Sequence, residues 1–174
     1  MNLNRAVTSL MGLRGARAKA AGIDGDRLFR AGVSYLHSHA YALAYACFDR
    51  LADDDWQVAY NKALCCFGVG DYERCYTILC AVESLLPVPQ SPDFAELPDT
   101  LLRWEHESPM PICPLCFETF TPEVTVLFFR LKAEAAFRLR RYDEVKVLAA
   151  RLGGRYRHIC KLIEQIDHDS QRHL

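Results

Sequence analysis

Apolar residues recur at three- and four-residue steps from Leu28 to Leu51 and again from Tyr60 to Leu85. That spacing lays them along one side of an α-helix. No segment alternates in the period of two that a half-buried strand needs. The pattern predicts helices at about 26–38, 40–53, 56–69 and 71–86, then at about 122–139, 141–152 and 154–169. Thr121, Pro122 and Glu123 suit a cap, a first turn and a helix dipole in that order. Gly153-Gly154 reads as a stop. Beyond it, Tyr156, Ile159, Ile163 and Ile166 share one face, with Arg157, Lys161, Glu164 and Asp167 elsewhere.

Three stretches repeat one layout. Gly32, Ala63 and Ala133 align, with Tyr41, Tyr72 and Tyr142 nine residues on, then Ala44, Cys75 and Val145, then Phe48, Leu79 and Ala149. Small residues let two antiparallel helices approach closely, and an aromatic fills the gap where they diverge. Each pair leaves an apolar face that only stacking can bury. The layout resembles the tetratricopeptide repeat, most clearly in the second copy, where Gly70-Asp71-Tyr72-Glu73 matches the turn and Pro87 the closing proline. His39 and Arg140 stand where the other two copies would carry the turn glycine. The resemblance implies an all-α fold, an α-α superhelix of about three helical hairpins with a Pro-rich interruption and a C-terminal capping helix.

The expected organisation is a packing segment at 1–25, two repeats at 26–86, the interruption at 87–121, a third repeat at 122–153, and a capping helix with tail at 154–174. All eight prolines lie from Pro87 to Pro122, which excludes long helices there. That segment is either a decayed repeat or an insertion looping over the groove. Residues 1–23 hold Arg5, Arg14, Arg17 and Lys19 and no acid, as a targeting peptide can, but serine is scarce and Leu3, Val7 and Leu10 form an ordinary amphipathic stripe.

Composition narrows the partners. The 174 residues are 51% hydrophobic and 25% charged with a net charge of -1, a balance that suits a globular chain and gives no bulk field for nucleic acid or an anionic membrane. No apolar run is long enough for membrane insertion. Eight cysteines without a secretory signal point to free thiols in a reducing, cytoplasmic setting. Cys47, Cys65, Cys66, Cys75, Cys80 and Cys160 fall on predicted helices, where packing accounts for them. Cys113-Pro114-Leu115-Cys116 is the one motif with chemistry attached. A zinc site there would need His106 and a further ligand, and a redox dithiol would need a sheet that the pattern does not predict. A buried proline-rich turn is the plainer reading, with no cofactor.

No catalytic motif of the GxSxG, P-loop or HExxH kind is present. His37 and His39 straddle a helix junction, and Asp53-Asp54-Asp55 reads as a solvated turn that caps the next helix. The chain is therefore expected not to be an enzyme. In the repeat family the first helix of each pair lines a concave surface. Carried onto this sequence, that surface would present Phe29, Val33 and Leu36, then Tyr60, Asn61, Leu64 and Phe67, then Leu127, Arg130, Glu134 and Phe137. Of the clamp by which chaperone-binding members grip an acidic C-terminus, Asn61 alone remains. The implied role is an adaptor or assembly factor that docks an apolar segment of another protein or peptide in that groove. The alternatives are a chaperone like those of type III secretion, a subunit that self-associates as a homo-oligomer, or a metal or redox protein built on Cys113 and Cys116.

Overall fold

Short acidic side chains start three of the helices. Asp24 accepts from the Arg27 amide at 3.2 Å and opens α1 (Gly25–His37). Asp55 accepts from the amides of Gln57 at 2.9 Å and Val58 at 3.4 Å and opens α3 (Trp56–Gly68), so the expected cap in the Asp53–Asp55 run is present. Asp71 accepts from the Arg74 amide at 3.1 Å and opens α4 (Tyr72–Val82). Each such cap stabilises its helix by about 1 kcal/mol. Helices α2 (Tyr41–Phe48) and α6 (Tyr142–Arg151) lack a side-chain cap. A short 3-10 turn, Glu83–Leu85, follows α4, and α5 (Pro122–Arg138) and α7 (Arg157–Arg172) complete the set.

The computed structural model describes residues 19, 22–86, 122–154 and 157–172. Among them the architecture is all-helical, built of packed helix pairs without strands. The chain divides into two compact units, Met1–Pro87 with Cys113–Phe120 and Val88–Ile112 with Thr121–Leu174. The segment expected at 87–121, with Cys113, Cys116 and His106, lies outside the described residues, as does Thr121. Most of the segment expected at 1–25 does too.

One turn geometry recurs after four helices. His39, Gly70, Arg140 and Gly153 have φ of 56°, 82°, 58° and 71°. In each case that residue's amide bonds the carbonyl three back, and the next amide bonds the carbonyl five back. Examples are Gly70 to Phe67 at 3.0 Å with Asp71 to Cys66 at 2.9 Å, and Arg140 to Phe137 at 3.0 Å with Arg141 to Ala136 at 2.9 Å. This paired closure satisfies the orphan carbonyls of a helix end and favours glycine at the left-handed position.

Three helices depart from the bounds of the sequence pattern, and one of them, α4, ends at Val82, short of residue 86, where the chain tightens into the 3-10 turn. Helix α2 stops at Phe48, short of residue 53, and Asp49 and Asp53 beyond it both bond Lys62. Helix α7 starts at Arg157, after Gly153 and Gly154 have both taken left-handed backbone. Its buried face is Ile159, Leu162 and Ile166, with Ile163 only half-buried.

In the first unit α2 packs on α1, α3 on α2 and α4 on α3, and α1 also reaches α3. A Cβ at Gly32 would lie 2.7 Å from the Phe48 ring, so this crossing of α1 and α2 has no room for a side chain. Phe48 in turn meets Phe29 edge-on at 5.6 Å, a pairing that adds about 1 kcal/mol to the burial itself. At the contact of the second hairpin with the first, a Cβ on Gly68 would lie 2.5 Å from the Tyr41 ring. In the second unit α5 packs against both α6 and α7, which also touch each other. Ala63 and Ala133, aligned with Gly32, are fully buried.

Candidate functional site

Helix α3 is apolar on nearly every side, and every residue from Val58 to Phe67 is buried. A helix of that kind belongs to the core. Tyr60, Asn61 and Leu64 have no exposed surface and Phe67 is 6% exposed; Phe67 also meets Tyr72 edge-on at 5.2 Å. Phe29 spends its ring on Phe48, and Leu36 is buried, leaving Val33 half-exposed on α1. On α5, Leu127 and Arg130 are buried while Glu134 and Phe137 are half-exposed, Phe137 lying 6.0 Å from the Tyr142 ring. The residues expected to line a groove are thus for the most part enclosed within the chain, and those reachable from solvent are Val33, Glu134 and Phe137.

Charge inside the two central helices is handled in opposite ways. Lys62 on α3 bonds Asp49 at 2.9 Å and Asp53 at 3.2 Å, and Asp53 also pairs with Lys19 at 2.8 Å. Burial pulls the Lys62 ammonium down, but the two aspartates outweigh it and leave its pKa above the ordinary lysine value. The bond from Lys62 holds the Asp49 carboxyl below the usual carboxylate range, and the bond from Lys19 does the same for Asp53. Arg74 on α4 donates from Nη2 to the Tyr45 hydroxyl at 2.8 Å and lies 4.9 Å from that ring's centre. Side chains from α2, α3 and α4 are tied together by this network.

Arg130 on α5 has no such provision. It is 2% exposed, and its Nε and Nη1 are enclosed without an acceptor; Thr125 Oγ1 on the same helix is also enclosed and unmatched. Glu134 lies one turn on. Burial pushes its carboxyl up, and the charges of Arg130 and Arg138 oppose that rise.

Burial favours the protonated thiol at four of the described cysteines. Burial pushes Cys65 up to about 12 and raises Cys66, Cys75 and Cys47. Packing accounts for Cys65, Cys66 and Cys75, whereas Cys80 is exposed. His39 is exposed and meets the Tyr41 hydroxyl at 2.9 Å through Nδ1. Among the described residues no cluster of His, Cys, Asp or Glu has the arrangement to hold a metal ion, and no helix is long and apolar enough to cross a membrane.

No protein-family model, curated protein or solved structure matches this chain.

Proposed function

We propose that the chain is a helical-repeat interaction protein of the tetratricopeptide kind, whose hairpins hold an extended or helical segment of another polypeptide without turning it over. The observation that supports the reading is the recurrence of one left-handed turn at His39, Gly70 and Arg140, each at the same repeat position. It argues for three equivalent hairpins, and arrays of equivalent hairpins offer rigid surfaces suited to several apolar anchors at once.

On this reading Tyr60 and Phe67 serve the scaffold. Truncating either to alanine costs about 3–5 kcal/mol of stability, so they are poor probes of binding. Val33 is half-exposed and a better one. The experiment is affinity purification of the full chain from its host, followed by reconstitution with the purified partner and light scattering. A monomer that binds one partner in equal amounts, with affinity reduced tenfold or more by Val33→Glu, is the expected result. A concentration-independent dimer that recovers no partner would overturn the proposal in favour of a self-associating structural subunit.

A further inference from the structure

An enclosed guanidinium is an unusual choice for a helix face. A guanidinium is a cation, and at Arg130 it is only 2% exposed. Burying a charge without a hydrogen-bond acceptor is costly. Methionine or leucine at the same position would fill the space without that cost. Glu134 is the nearest acid along the helix, yet among the described residues no ion pair joins it to Arg130. The unmatched Nε and Nη1 therefore define a place for a hydrogen-bonding anion that none of the described residues fills.

We propose that Arg130 is a carboxylate anchor: it grips the side chain of an aspartate or glutamate set among apolar residues in the segment that α5 binds. The inference rests on the docking role proposed above and specifies its ligand. Charge complementarity selects an acid. Leu127 and Phe137, which share a face with Arg130 at helical spacing, select apolar neighbours around that acid. The carboxylate of Glu134 one turn away repels any incoming anion, and a doubly charged phosphate about twice as strongly as a singly charged acid side chain. A charge-assisted bond in a water-poor setting is strong and directional, so one acid suffices to fix the register of the guest. Because the guanidinium is enclosed, this face opens as the segment enters, and association is slower than for an exposed site.

The test uses the full chain and a phage-displayed library of peptides whose C-termini are fused to the coat protein, so that only side-chain acids are offered. Wild-type protein is expected to select sequences that share one acidic position. Changing that residue to its amide in a synthetic, terminally blocked peptide lowers affinity at least thirtyfold on wild type and less than twofold on Arg130→Met. Arg130→Met is expected to melt no lower than wild type, and Arg130→Lys, which keeps the charge but not the planar fork, binds at an intermediate level. Should Arg130→Met fail to fold, the Arg130→Lys comparison carries the same test. Selected peptides without a common acid, or an amide effect equal on wild type and variant, would overturn the anchor while leaving the docking role standing. Failure to select any peptide would overturn both.

Discussion

Backbone conformation at the hairpin turns yields a prediction free of side-chain packing. Arg140 is exposed with φ of 58°, and its amide bonds the Phe137 carbonyl at 3.0 Å. An L-residue in left-handed backbone costs about 1–2 kcal/mol. Glycine removes that cost but has more freedom in the unfolded chain, which takes back about 0.4–1 kcal/mol. Arg140→Gly is thus expected to stabilise by about 0.5–1 kcal/mol, the difference between these two. Gly70→Ala runs the same exchange in reverse. A Cβ at Gly70 meets nothing within 4 Å, so its cost of about 0.5–1 kcal/mol is conformational alone. His39→Gly gains almost nothing, because the contact of Nδ1 with the Tyr41 hydroxyl at 2.9 Å is lost with the ring.

Urea unfolding followed by far-ultraviolet circular dichroism reads these changes. With a slope of about 2 kcal/mol/M, they shift the midpoint by about 0.3–0.5 M. If the two compact units unfold separately, Gly70→Ala moves only the first unit's transition and Arg140→Gly only the second's. A lowered midpoint for Arg140→Gly, or an unmoved one for Gly70→Ala, would refute the assignment of these turns.

Two further outcomes follow from the packing and the charge network. Gly32→Ala drives a methyl into the Phe48 ring at 2.7 Å and is expected to destabilise by about 1–3 kcal/mol; Phe48→Leu in the same chain restores part of the loss, and calorimetry of the double variant checks it. For the Lys62 network, Asp49 and Asp53 have lowered pKa values, so their contribution is complete above the unfolded aspartate value of about 3.9 and disappears as pH falls through the folded values. Lys62 is raised, so its contribution is complete below about pH 10.4 and fades as pH rises through the folded value. Any stability gap between wild type and Lys62→Met should hold steady near neutrality and close in acid; a gap unchanged at about pH 3 would remove the network from the account.

Much of the helical layout was legible because it is local. Periodicity located the helices, and Asp55, Gly70 and Gly153 announced their own roles through cap and turn chemistry. The alignment of His39 and Arg140 with Gly70 located their turns, although arginine seldom adopts left-handed backbone. Burial was less legible. A repeat template gives each first helix an outward face, so it directed Tyr60, Leu64 and Phe67 toward a groove. The run Val58 to Phe67, interrupted only by Asn61 and Lys62, was itself the signal that α3 has neighbours all round. The pairing of Lys62 with Asp49 and Asp53 spans thirteen and nine residues between helices, and no single-sequence pattern fixes a contact of that kind. In the sequence Arg130 had a place only as one of the groove positions carried over from the repeat family. Its want of an acceptor depends on tertiary surroundings.

The contrast between Lys62 and Arg130 bears on what kind of protein this is. Both cations lie in largely apolar helices and both are buried. At Lys62 the fold supplies two carboxylates and a tyrosine face, so a helical hairpin of this design can satisfy an interior charge when the charge serves the hairpin. At Arg130 it supplies none that bonds the enclosed nitrogens. If stability alone governed the core, the same means would have been used twice, or the second charge would have been replaced by an apolar side chain of like volume, commonly a neutral or stabilising exchange. A buried cation whose enclosed nitrogens lack an acceptor is the costliest arrangement of the three. Its retention makes sense if the missing acceptor arrives from outside, with binding free energy that includes relief of the cost carried by the free chain. On that account Arg130→Met gains stability and loses recognition together, an opposition that a residue serving only the fold would not produce.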